Sequence, residues 1–185
     1  ESGSRGVLES VRKKNDPEKI FRLIQDGLDA GMNLSTNIII GLPREGWQDF
    51  FQTFRMVSRM AVRGLQELNV FPFIPYPGSE LFNDFLRRKK LILSDDYFLN
   101  LFGYADLSKA VSWSDRFSPR TLSVMRFVLL SHFYSLMLLT HPRRAWRLVC
   151  NALQGRTTTK LEGVLARILR NIKISFRKEH EHAER

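Results

Sequence analysis

The chain has 185 residues, 43% of them hydrophobic, which is enough to bury a core of ordinary domain size and excludes a disordered chain. Its formal charge of +10 is uneven: residues 1–119 carry 16 Lys and Arg against 15 Asp and Glu, whereas residues 120–185 carry 13 against 4. The single cysteine, Cys150, excludes an internal disulfide and any metal cluster held by three thiolates of this chain, and a reducing cytosol is the simplest setting.

The chain opens on Glu1-Ser2-Gly3-Ser4, with neither a Met nor a signal-peptide pattern, and reads as starting in the middle of a motif. Asn15-Asp16-Pro17 predicts a helix start, with an Asx cap and Pro in the first turn; Ile20, Leu23, Ile24 and Leu28 then share one face and Gly31 closes the helix. Leu34 to Ile40 is a β-branched run bounded by Gly41-Leu42-Pro43, expected as a strand buried on both faces. A second helix is expected from Trp47 to Val62, with Phe50, Phe51, Phe54, Val57 and Ala61 at helical spacing and Gly64 as its end. Leu68 to Phe73 predicts another strand, followed by the loop Pro75-Tyr76-Pro77-Gly78.

The strand-to-strand repeat of about 30 residues, with a helix between, is the size of one βαβ unit, so parallel strands are expected, with function in the loops at their C-terminal ends. Beyond Ser79 only helices are predicted: Glu80 to Lys89, Pro119 to Thr140, Pro142 to Leu153 and Thr159 to Phe176. The apolar stretch Phe127 to Leu139 is interrupted by Ser131, His132 and Ser135 and is shorter than the roughly 20 residues of a spanning helix, so it is expected to be buried. The expected organisation is α/β for residues 1–90, a helical region for 91–178, and a charged tail for 179–185.

Three loops at strand ends carry a resemblance: Glu1-Ser2-Gly3-Ser4 with Leu8 and Lys13-Lys14; Ile38-Ile39-Ile40-Gly41-Leu42-Pro43-Arg44-Glu45; and Pro75-Tyr76-Pro77-Gly78-Ser79-Glu80-Leu81. In this order and at this spacing the chain resembles the radical S-adenosylmethionine (SAM) superfamily, most closely its cobalamin-dependent branch. The resemblance implies the second half of a partial (β/α) barrel followed by a helical C-terminal region. It also implies a [4Fe-4S] cluster whose cysteine ligands precede Glu1, SAM bound at the barrel mouth, and a cobalamin domain further upstream. The implied activity is carbon methylation or cyclisation on a small-molecule or lipid-like substrate, with a reductant protein as partner and no nucleic acid expected.

SAM has a charged methionyl end, a ribose and a flat adenine, so its pocket needs polar groups at one end and an apolar slot at the other. Glu1, Ser2 and Ser4 are the implied polar contacts, with Gly3 admitting close backbone approach. Ile39, Ile40 and Gly41 are implied against the adenine, with Phe73 and Pro75 closing the slot. The family usually has Gly where this chain has Arg44, and a small residue at Asn37. Each of these loops has a simpler structural reading: Ser4 as a helix cap, Glu45 as a cap of the following helix, and Phe73 as packing.

Elsewhere, His132 on an apolar helix reads as a satisfied core histidine, His180-Glu181-His182 as a solvated tail, and Asp95-Asp96 as a helix start after Ser94. The charge excess supports a different class of function, a basic helical module docking on a membrane surface or nucleic acid. Leu161, Val164, Leu165, Ile168, Leu169 and Ile172 form an apolar face bordered by Lys160, Arg167, Arg170 and Lys173. This is an amphipathic pattern with two readings: the apolar face packs on the barrel or the preceding helices while the charges are solvated, or the helix lies at a lipid boundary, so a cytoplasmic protein is expected, with peripheral membrane contact on the second reading.

Overall fold

A computed structural model describes residues 1–88, 91–102, 111–154 and Gly163. Its architecture is mixed α/β, with two parallel strands among helices, in two compact units, Glu1–Leu136 and Met137–Arg185. Apart from Gly163, the predicted helix at 159–176, with its apolar face and basic border, and the tail with His180 and His182 lie outside the described residues.

Local signals set the helix ends. In α1 (Arg5–Ser10) the Ser4 hydroxyl accepts from Val7 N–H at 3.3 Å, in line with the reading of Ser4 as a helix cap. In α2 (Pro17–Asp29) the Asp16 carboxylate accepts from Glu18 N–H at 3.0 Å and Pro17 occupies the first turn. Gly31 follows it at φ 77°, a left-handed conformation that glycine adopts freely. The buried residue of α2 is Phe21, and Leu23 is exposed, contrary to the expected face. Phe21 turns toward α3 (Trp47–Arg63), where the Arg59 guanidinium lies over its ring, 4.1 Å from the centroid, and Arg59 also pairs with Glu18. On α3 the inward residues are Phe50, Thr53, Met56, Val57, Met60 and Ala61, and Phe51 faces out.

Strands β1 (Ser35–Ile40) and β2 (Glu67–Pro72) run parallel, in register from Ser35 opposite Glu67 to Ile40 opposite Pro72, with α3 between them in sequence. Ile40 carbonyl accepts from Phe73 N–H at 2.7 Å, while Ile39 N–H donates to the Glu1 carbonyl at 2.8 Å. Successive residues of a strand direct their backbone groups to opposite edges, so Glu1 lies beside β1 on the edge away from β2. The lateral order is therefore the Glu1 segment, β1, β2.

β1 is buried on one face only, which corrects the two-sided expectation. Ile38 and Ile40 are fully buried with Leu68 and Val70, whereas Asn37, Ile39, Asn69 and Phe71 are only partly covered or more open. Three consecutive isoleucines conceal the alternation; Asn69 Nδ2, donating to Asn37 Oδ1 at 3.0 Å across the register, marks the open face.

Helix α4 (Glu80–Arg87), capped by Ser79, and α5 (Asp95–Phe102) build a smaller core of Phe82, Phe85, Leu91 and Tyr97, with Phe73 and Trp113 against it. Helix α6 (Pro119–Thr140) sends Leu122, Met125, Leu129 and Phe133 into the main core. Full burial of each such side chain contributes about 1.5–3 kcal/mol. His132 is satisfied there, 2.8 Å from Ser58 Oγ and stacked on Phe54 at 4.2 Å. The expectation that Phe127 to Leu139 is buried holds for one face only, since Phe127 and Leu139 are exposed. In the second unit α7 (Pro142–Leu153) carries Cys150.

Candidate functional site

A cleft of about 1120 Å³ opens at the C-terminal ends of β1 and β2, the end at which parallel α/β folds carry their function. Its wall is the open strand face, with Asn37 and Ile39 from β1 and Phe71 from β2, continued by Leu42, Phe73, Ile74 and Tyr76 from the following loops. Glu1, Arg12 and Lys13 come from the N-terminal segment, and Ser79, Glu80, Asp84 and Arg87 from α4 and its cap. Charges at the rim are paired: Lys13 Nζ is 3.2 Å from Glu1 Oε1, and Arg12 meets Glu80. The cleft thus has a flat apolar wall, an amide at Asn37 and a carboxylate at Glu1. Small-molecule sites commonly occupy roughly 300–1,000 Å³, so this volume admits a cofactor-sized ligand.

The residues singled out in the sequence divide between the cleft and its supports. Glu1, Ile39 and Phe73 line the cleft. Ser2 and Ser4 are buried instead against α3: Ser2 Oγ is 3.3 Å from Thr53 Oγ1, and Ser4 Oγ donates to Asp49 Oδ1 at 2.6 Å. Gly3 N–H donates to Thr53 Oγ1 at 3.0 Å, and a β-carbon on Gly3 would come within 2.6 Å of the Gln52 carbonyl oxygen. Glycine is required there for the approach of the N-terminal segment to α3. Ile40 points into the core, and Pro75 is buried with its carbonyl accepting from the Tyr97 hydroxyl at 2.6 Å.

Gly41 has φ 76°, and a β-carbon on it would sit 2.9 Å from both δ-methyls of Leu122 on α6. The loop it begins is held by Glu45. That side chain is fully buried, and its Oε2 accepts from Gly41 N–H and, at 3.0 Å, from Leu42 N–H. Burial pushes the Glu45 carboxyl up to about 7, with the Asp49 carboxylate adding to the rise, against the pull of those two backbone donors; its Oε1 has no hydrogen-bond partner among the described residues. The expectation that Glu45 caps the next helix is corrected. Asp49 does that, accepting from Gly46 N–H at 2.9 Å, while Glu45 folds back over the loop before it. Arg44 has φ 67°, which explains why a glycine suits this position.

Asn37, Leu42, Phe71 and Tyr76 line the cleft without having been singled out as contacts. The signal for Asn37 and Phe71 is period-two alternation read across both strands at once, which becomes visible only when the register is known, while Leu42 and Tyr76 follow in the loops. Among the described residues, no group of three or more His, Cys, Asp or Glu side chains could hold a metal ion.

Comparison with known proteins finds no matching family model. The chain is 21% identical over 95 residues, 51% of its length, to an uncharacterized protein of Methanocaldococcus jannaschii. It is 30% identical over 81 residues, 43% of its length, to the tRNA-2-methylthio-N(6)-dimethylallyladenosine synthase of Anaplasma phagocytophilum. It is 33% identical over 84 residues, 44% of its length, to the threonylcarbamoyladenosine tRNA methylthiotransferase MtaB of Treponema pallidum. The matched regions are 29%, 18% and 17% of these relatives, so the chain spans less than a third of each. It has a distant, partial similarity to methylthiotransferases.

Proposed function

We propose that this chain forms the second half of a radical SAM core and supplies one wall of the cleft in which SAM and a substrate meet. The observation that carries the reading is the lateral order of the Glu1 segment, β1 and β2, with the loops after all three opening onto one cleft. The distant similarity to methylthiotransferases supports the same class.

The residues present fit SAM. Ile39, Leu42, Phe71 and Phe73 would bury its adenine, while Asn37 and Glu1 would receive the ribose hydroxyls and the methionyl ammonium. When bound in such an enzyme, SAM supplies hydrogen abstraction or group transfer at an unreactive carbon. This chain's own contribution is to bind and orient, to exclude water with its aromatic wall, and to keep an acceptor at Glu1. The [4Fe-4S] cluster does not fit, because Cys150 is the chain's one cysteine and lies on α7; its ligands would come from other parts of the protein.

The substrate is proposed as a small or lipid-like molecule rather than RNA, because the cleft wall is largely apolar and its rim carries the carboxylates of Glu1, Glu80 and Asp84 beside its cations. The cobalamin-dependent branch draws no support from the relatives, and cobalamin has no part in this reading.

Equilibrium binding of SAM to the full-length protein tests the proposal. Ile39→Asp, at a partly exposed cleft position, is expected to weaken SAM at least about tenfold with the melting temperature little changed. Equal affinity for the variant and the wild type would overturn it.

A further inference from the structure

Away from the cleft, a hollow of about 330 Å³ opens between α2 and α3, at the small end of the roughly 300–1,000 Å³ of small-molecule sites. Its lining is Phe21 from α2 and Arg55, Ser58, Arg59, Val62 and Arg63 from α3. The three arginines stand four residues apart, so successive turns of α3 bring them to one side. None of the lining residues is acidic.

Arginines at this spacing on an exposed helix are usually matched by carboxylates one turn away, or are simply solvated. Here the matching is incomplete. The acidic residue of α3 is Asp49, in its first turn, which is engaged with Gly46 N–H and the Ser4 hydroxyl. From α2, Glu18 gives both carboxylate oxygens to Arg59. Those hydrogen bonds, with Arg22 adding to the pull, hold the Glu18 carboxyl below its usual range, so this carboxylate is already shared. The Arg55 and Arg63 side chains have no carboxylate partner among the described residues. The helix dipole favours a cation at Arg63, in the last turn, but not at Arg55, two turns earlier.

The charges also converge. The Arg59 and Arg63 guanidinium carbons lie 4.1 and 6.0 Å from the centroid of the Phe21 ring, so they are at most about 10 Å apart, close to the screening length of about 8 Å. Three arginines against one carboxylate leave a net charge of about +2 around the hollow. A charge of that size selects a dianion. A phosphomonoester carries about −1.5 to −2 at pH 7 and presents three acceptor oxygens, which guanidinium groups match in bidentate pairs. Val62 offers an apolar contact to a small organic group on the phosphate. Ser58 takes no part, since its hydroxyl is turned to the Phe54 carbonyl and His132.

We propose that Arg55, Arg59 and Arg63 form a binding site for a small phosphomonoester, separate from the cleft and independent of whether the cleft binds SAM.

Phosphorus NMR titration of phenyl phosphate with the full-length protein tests it, with benzenesulfonate, the same ring bearing a single charge, as competitor. A dissociation constant of about 1 mM or tighter is expected at pH 8. It should weaken at least about tenfold in Arg55→Ala/Arg63→Ala, with circular-dichroism melts unchanged because both side chains are exposed. Binding should also weaken as pH falls to 5, where the ester loses its second charge while Glu18 keeps its own. No binding, undiminished binding by the double variant, or benzenesulfonate competing as well as unlabelled phosphomonoester would overturn the proposal. An RNA hairpin that the double variant fails to bind, and that phenyl phosphate does not displace from the wild type, would overturn it too and assign the arginines to a nucleic-acid backbone.

Discussion

Replacing Gly41 by Ala should destabilise the protein by two separable amounts, and Gly31 supplies the control. Both glycines have nearly the same backbone conformation, φ 76° and 77°. An L-residue there costs about 1–2 kcal/mol, partly offset by the reduced freedom of the unfolded chain. Around Gly31 nothing lies within 4 Å of an added β-carbon, whereas at Gly41 both δ-methyls of Leu122 would be 2.9 Å away. Leu122 is 1% exposed, so its δ-methyls must shift within a packed core, and overpacking adds about 1–3 kcal/mol. Gly31→Ala should therefore cost about 1–2 kcal/mol and Gly41→Ala about 2–5 kcal/mol, with the unfolded-state contribution cancelling in their difference. Equilibrium urea denaturation at constant m-value measures both. Equal losses for the two variants would refute the steric assignment of Gly41 to α6, and with it the packing of α6 over this loop.

Two further outcomes follow from the polar groups behind the cleft. The Glu45 carboxyl, raised to about 7 in the folded state, binds a proton that the unfolded chain releases near 4.5; its favourable contribution is complete below pH 4.5 and is lost as pH rises through 7. The loss amounts to about 3 kcal/mol, because each tenfold difference in proton affinity between the folded and unfolded chain is worth about 1.4 kcal/mol. Glu45→Gln should flatten that slope in denaturation midpoints measured between pH 5 and 8; an unchanged slope would refute the assignment. Thr53→Val keeps the volume but strands Gly3 N–H without its 3.0 Å acceptor, at a cost of about 1–3 kcal/mol, while Thr53→Ser should be milder; equal stability of all three proteins would show that the N-terminal segment is held in another way.

Helix ends and the βα repeat were legible in the sequence because their causes are local. Asp16-Pro17, Ser79 and the glycines at 31 and 64 act within a turn of where they stand. Which side of an element is buried was less legible, because the covering residue is distant in sequence. Leu23 and Phe21 are equally good apolar residues of α2, and what lies over the Phe21 ring is Arg59 at 4.1 Å and Arg63 at 6.0 Å, both from another helix. Glycine was ambiguous for the same reason. Gly3 and Gly41 suggest close approach by a ligand, but what approaches them is Gln52 in one case and Leu122 in the other. The cleft wall required the register of two strands, through which Asn37 meets Asn69 and Ile39 meets Phe71.

The loop from Gly41 to Glu45 concentrates what the rest of the unit avoids: two left-handed residues, one of them Arg44, and a buried carboxylate with an oxygen that lacks a partner. Such costs persist where surrounding structure enforces them, and they cluster at functional loops. Here the enforcement comes from both sides. Glu45 gathers the Gly41 and Leu42 amides from below, Leu122 closes over Gly41 from α6, and Leu42 is thereby presented to the cleft. The buried face of α6 therefore holds a cleft loop in place, and a change in its packing at Leu122 would be felt at the cleft wall through Gly41 and Leu42.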